Sequence, residues 1–213
     1  MWFNISPRVT ALSGVLAALM TLLVIFFAGF YQPGFSHGQS FVSELNASGS
    51  LFANVIGYLG FLPVGVVTLF FIGQLKQELY SSKRVTLGLI LLGFSGLDWL
   101  VTAVFPCDAG CPTTGDISVS QIIHNISGLL STLLVPIGIG VLMGAFQKMR
   151  FNPLVIVFSI ISIVAYIASF VLIVGNVFEG FQGGIQRLNI LIFYSYICVL
   201  SVNIYFKKQQ TII

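Results

Sequence analysis

Six long apolar runs, separated by stretches rich in polar residues, glycine and proline, set the pattern of this chain: residues 9–30, 51–73, 85–105, 119–145, 154–174 and 185–206. Each is close to the roughly 20 residues that carry an α-helix across a bilayer, so the pattern predicts six transmembrane helices. Connections 31–50, 106–118 and 175–184 fall at one end of these helices and are somewhat longer than those at the other end. The first of them is rich in Gly and Ser, and Phe35 and Phe41 within it suit the membrane interface, so it is expected to fold over the bundle as a cap. No internal repeat at fixed spacing is present, which leaves an inverted-repeat transporter architecture without direct support. The expected fold is an all-α integral membrane protein, a single six-helix domain over residues 1–213, with Pro63 and Pro136 bending the second and fourth helices.

Composition removes most other classes. Hydrophobic residues make up 57% of the chain and charged residues 7%, against about 25% charged in ordinary soluble domains. The formal charge of +3 does not point to nucleic acid, because the basic residues sit in ones and twos at helix ends, where they meet lipid headgroups. No nucleic-acid partner is expected; membrane lipids are. The first apolar run is longer than a signal-peptide core and lacks a small-residue cleavage site, so it is expected to be retained.

Charge sign orders the ends. Arg8, Lys76, Lys83, Arg84, Lys148, Arg150, Lys207 and Lys208 flank one set of helix ends, whereas Glu44, Asp108, Asp116 and Glu179 lie at the other, where Arg187 is the exceptional base. The positive-inside bias then assigns both termini to the cytoplasm and the acidic end to the outside of a cell membrane. On that outer side Cys107 and Cys111 flank a tight turn at Gly110, a spacing that suits a disulfide in an oxidising compartment. The rival there is a metal, but two thiolates without a further pair or paired His fall short of four structural zinc ligands. Cys198, within the last run, reads as a small buried hydrophobe. Asn46-Ala-Ser48 fits the short glycosylation pattern, and His37 reads as an exposed loop residue.

Charges at membrane depth are costly and mark sites. Asp98 and His124 each lie about 8–11 Å below the outer helix ends, on adjacent helices. Ser95 and Thr102 flank Asp98, and Ser120, Ser127 and Ser131 recur with His124 at helical spacing, so two polar stripes are able to line one pocket. Singly these hydroxyls read as helix-packing residues.

Ser43-Glu-Leu45, Asn54 in the second run, Phe105-Pro-Cys-Asp108, His124 with Gly128, and Gly184-Ile-Gln-Arg187, in this order and all toward the outer side, together resemble a bacterial and archaeal membrane family, domain of unknown function 998. The resemblance covers nearly the whole chain and implies Glu44, Asp108, His124 and Arg187 as site residues, with no assigned activity. Asp98 lies outside that pattern and enters through the burial argument, and Asn46 stands where the family pattern has Gly.

Three functional classes fit. In the first, an outward-facing pocket binds, senses or transports a lipid or a small polar or anionic ligand, gripped by Arg187 through its planar fork, with Glu44, Asp108 and His124 completing the site. The second is a membrane-embedded lipid hydrolase in which Glu44, Asp108, His124 and Asp98 are catalytic and the first three are candidate metal ligands, although one His with carboxylates suits a hard cation better than zinc. A metal-free version, with Ser120 or Ser43 as nucleophile and His124 as base, lacks the Gly-x-Ser-x-Gly elbow. The third class is a structural membrane subunit, in which Gly140 and Gly144 permit close helix contact. No cofactor is specified by the sequence.

Overall fold

The computed structural model describes residues 6–112 and 114–207. Among these are six helices long and apolar enough to cross a membrane: α1 (Pro7–Tyr31), α2 (Ala53–Glu78), α3 (Lys83–Val104), α4 (Val119–Lys148), α5 (Pro153–Val174) and α6 (Gln182–Lys207). The chain is an all-α multi-pass membrane protein. Helix starts follow local chemistry: Ser6, Ser82, Ser118 and Asn152 cap α1, α3, α4 and α5 through side-chain oxygens, and Pro7 and Pro153 occupy first-turn positions where a missing N–H costs nothing.

Each helix packs on its neighbours in sequence and α6 returns to pack on α1, so the six form a closed ring. The driving pattern is inverted relative to a soluble bundle. On α1, Leu12, Leu16, Leu19, Leu23 and Phe27 are exposed, while Ala11, Gly14, Ala17, Ala18 and Thr21 are buried against the bundle. Lipid tails are as apolar as leucine, so close backbone approach and shape select the inner face. Two crossings show this. A Cβ built on Gly138 of α4 would lie 2.7 Å from the Leu92 nitrogen and 2.9 Å from the Gly88 carbonyl oxygen of α3; one on Gly65 of α2 would lie 2.8 Å from the Gly96 carbonyl oxygen. Gly144, by contrast, meets nothing within 4 Å, so within the chain it is Gly65, Gly88, Gly96 and Gly138 rather than the Gly140/Gly144 pair that bring helices together.

The second helix runs to Glu78, past the 51–73 apolar run, and opens with a π-helical segment, Ile56–Phe61. There the Leu62 N–H bonds to the Gly57 carbonyl, five residues back. Pro63 follows directly; its ring crowds the preceding turn and supplies no N–H, and the widened turn accommodates both effects. Pro136 sits inside α4, which continues to Lys148.

The two ends of the ring are built differently. At the end bearing Lys76, Lys83, Arg84 and Lys148, the interior is filled by apolar side chains including Phe71, Leu75, Leu142, Phe146 and Leu200. At the opposite end the 32–52 connection folds over the ring as a cap, carrying the 3-10 turn Val42–Asn46. Its Gly38 and Gln39 carbonyls accept from Gly184 and Gly183 at the start of α6, and its Ser48 N–H donates to the Cys107 carbonyl on the 105–118 connection. His37 is not exposed as its loop position suggested: it lies against Phe26, Phe30 and Phe35, with Nε2 3.0 Å from the Phe26 carbonyl oxygen. Asn46 is also buried, donating from Nδ2 to the Thr102 carbonyl at 2.7 Å, which leaves no accessible amide for glycosylation.

Candidate functional site

Arg187 enters the structure from the first turns of α6 and is 4% exposed. One amino group, Nη1, donates to the carbonyls of His37 (2.8 Å), Ser40 (2.7 Å) and Gly183 (3.0 Å), and the guanidinium lies 5.1 Å from the centre of the Phe35 ring. Gly183 has no Cβ because Ser40 occupies that space. The Nε and Nη2 groups have no acceptor among the described residues, and Glu44 supplies the nearby negative charge. Glu44 itself accepts from the Phe41 N–H at 2.7 Å, closing the 3-10 turn on which it sits. These two residues therefore hold the cap together.

Asp108 does comparable work on the neighbouring connection. Its Oδ2 accepts from the Ser118 N–H at 2.8 Å and its own N–H donates to Gln121 Oε1 at 2.6 Å, tying the loop to the start of α4. Hydrogen bonding by Ser118, chiefly through its backbone N–H and also its side chain, holds the carboxyl below the usual carboxylate range. The thiols of Cys107 and Cys111 are at disulfide distance, with Cα atoms 5.0 Å apart. His124 turns up toward this loop, Nδ1 lying 3.2 Å from the Phe105 carbonyl oxygen. A ring nitrogen of His124 and the two sulfurs lie within 4.8 Å of one another; this is the group of potential metal ligands found among the described residues, and Glu44 and Asp108 are not in it. Ser120 donates to the Pro106 carbonyl at 2.7 Å, so it is engaged with the loop rather than with His124.

Asp98 occupies a different environment. It lines a cavity of about 120 Å³ inside the ring, bounded by side chains from α2 to α6 and closed on the cap side by Val42 and Ser43. Ser95, Thr102, Ser131, Tyr166, Asn189 and Tyr194 also face this space. Of the two polar stripes, Ser95, Asp98 and Thr102 of α3 line this cavity, whereas from the α4 stripe only Ser131 does, with Ser120 and His124 turned to the loop. Ser127, one turn below His124, is the residue that reaches Asp98, donating from Oγ at 2.7 Å. The cavity's aromatic wall is fixed by mutual packing: Phe61 and Trp99 ring centres are 5.0 Å apart, and Tyr166 meets Phe193 edge-on at 6.0 Å. Tyr194 is anchored to Thr68 across the ring, hydroxyl to hydroxyl, at 3.0 Å. The contributions of Gln186, Asn189 and Tyr194 were not singled out from the sequence, since one polar residue per turn in an apolar run carries no indication of which way it points.

The structure therefore separates the candidate residues into three places: Glu44 and Arg187 in the cap, Asp108 with His124 and the cysteines at the adjoining loop, and Asp98 in the ring cavity. Comparison with curated proteins and with solved structures finds no match. A family model described as a protein of unknown function, DUF998, matches residues 15–203, a stretch that contains the cap, the loop and the cavity alike, and the chain belongs to that family.

Proposed function

We propose that this protein binds a small polar solute at Asp98 within the ring, as a membrane receptor or carrier. The observation that carries the reading is that, among the described residues, Asp98 is the one charged side chain lining the cavity. Hydroxyl, phenol and amide groups surround it, and a carboxylate among aromatic rings selects hydrogen-bond donors and organic cations over anions. A volume of about 120 Å³ holds about four water molecules or one small molecule of similar size. This shifts the ligand chemistry away from an anion held by Arg187, whose guanidinium does not line the cavity and whose Nη1 already serves the cap. The distribution of Lys and Arg supports an orientation with the cap, which closes the cavity, outside the cell. A lipid hydrolase has weaker support, because Glu44, Asp108 and His124 do not converge on one metal position and Ser120 is bonded to a loop carbonyl.

The test is thermal stabilisation and native mass spectrometry of the detergent-purified chain with small alkylamines, neutral amides and polyols, and carboxylates of matched size. Amines or neutral donors should stabilise the wild type and fail to stabilise Asp98→Asn. Preferential binding of carboxylates, lost on changing Arg187 and kept in Asp98→Asn, would overturn the proposal.

A further inference from the structure

The cysteine loop carries more than a staple. We infer that Cys107, Cys111 and His124 form a redox-gated site for a borderline-soft divalent metal of the zinc class, closed while the disulfide stands and open when it is reduced.

Three observations support this beyond the proximity of the ligand atoms within 4.8 Å. First, Nδ1 of His124 lies 3.2 Å from the Phe105 carbonyl oxygen, a contact that calls for the proton on Nδ1 and leaves the lone pair on Nε2, as in imidazoles oriented for a metal by a backbone carbonyl. Second, the loop is shaped by hydrogen bonds as well as by the disulfide. The Cys111 N–H bonds to the Asp108 carbonyl (2.9 Å) and Asn125 of α4 donates to the Pro112 carbonyl (3.3 Å). Together with the Asp108 bonds to Gln121 and Ser118 and the Ser48 bond to the Cys107 carbonyl, these tie the backbone around both cysteines to α4 and to the cap independently of the sulfur–sulfur bond. Third, the sulfurs are sheltered. Cys107 is fully buried and Cys111 is 8% exposed, with Ala47 packed against them and Phe41 beside it. Burial of this kind raises the cost of free thiolates and favours a metal that neutralises them.

The chemistry balances in two steps. A dithiol donor gives two electrons and two protons to the Cys107–Cys111 bond, yielding two thiols while the donor leaves as its own disulfide. The metal ion then binds both sulfurs and the imidazole and releases the two thiol protons. Three protein ligands leave a fourth position open, and the Ser43 hydroxyl, 3.4 Å from Cys111 Sγ, borders the site. Because Ser43 also lines the Asp98 cavity, the redox and metal state of this loop bears on the wall of that cavity.

The experiment uses the full chain in detergent, oxidised or reduced with a dithiol that is then removed without air, and titrated with Co²⁺ as a spectroscopic stand-in for Zn²⁺. Reduced wild type should bind about one ion per chain with sulfur-to-cobalt charge-transfer absorption, displaced by Zn²⁺, and oxidised wild type should show none. His124→Ala should weaken binding by about tenfold or more. Equal binding by the oxidised and reduced chains, absence of the sulfur absorption, or unchanged affinity in His124→Ala would each overturn the inference. If His124→Ala does not fold, the oxidised and reduced wild type still decide the matter.

Discussion

The cap and the ring cavity each place a charge near the membrane, and the two charges are used in opposite ways. Arg187 is enclosed, with three backbone carbonyls on one amino group and an aromatic ring against its face. Asp98 has one hydroxyl donor and faces open volume. A buried charge tied through one amino group to the backbone of a distant segment is a fastener. One that lines a space with its coordination incomplete is positioned for something that enters. The difference separates structural from functional charge more sharply than depth or residue type does.

The strongest way to break the comparison is Arg187→Met. It removes three charge-assisted hydrogen bonds spanning 4 to 150 positions in sequence and strands the carbonyls of His37 and Ser40. A loss of about 3–5 kcal/mol is expected in reversible unfolding from mixed micelles, with new protease cleavage in the 32–52 cap. Lys at this position should recover little, since it lacks the planar fork. A stable variant with an intact cap would reassign Arg187 to ligand binding.

The wall of the cavity is next. Gly138→Ala drives a methyl group against the backbone of Leu92 and Gly88, atoms that cannot rotate away, and should cost about 1–3 kcal/mol while loosening the α3/α4 contact that carries Asp98 and Ser127. Gly144→Ala, in open space, is the control and should be close to neutral by the same unfolding assay. Converting both Cys107 and Cys111 to Ser should cost about 2 kcal/mol, the chain-entropy value for so short a closed loop, read as a lowered midpoint in the absence of reductant. No shift between oxidised and reduced wild type would show the hydrogen bonds alone hold the loop.

These sites were unevenly visible in the sequence. The six spans follow from runs of apolar residues because the bilayer imposes a length, and charge sorting by end follows from the cost of burying ions. Asp98 stood out for the same reason, as an acid inside an apolar run. Ring closure did not, since it rests on Gly14 of α1 meeting Ser201 of α6 and Phe71 of α2, contacts between small and apolar residues that leave no periodic signature in a chain apolar on every face. The tie of Arg187 to the cap was not legible because its partners there are carbonyls, which every residue has; only folding shows which ones arrive. His37 was misjudged for a related reason: the cap expected over the bundle was legible from its Gly, Ser and Phe residues, but not that its own aromatic residues would shelter this ring.

Asp98→Asn sharpens the comparison with little structural cost. The amide oxygen still accepts from Ser127, so stability should change by less than about 1 kcal/mol, while affinity for a small amine falls at least about tenfold as the charge is removed. A large loss of stability would place Asp98 beside Arg187 as a fastener and dissolve the distinction drawn above.

The smallest effect belongs to Asp108, and its sign is fixed by its hydrogen bonds. Its carboxyl is held lower in the folded chain than its ordinary value of 3.8, chiefly by the Ser118 N–H, so the folded form prefers the ionised group. The stabilisation is therefore present above pH of about 4 and fades as pH falls through the depressed folded value. Because the group is open to solvent, the consequence is local: the 105–118 connection should loosen on acidification, seen as faster amide exchange at Ser118, while the six helices persist. Asp108→Asn should show the same loosened exchange at neutral pH and no further change on acidification. If Ser118 exchange in that variant still responds to pH with the wild-type midpoint, another acid controls the loop, and the tie between α4 and the cysteine turn lies elsewhere.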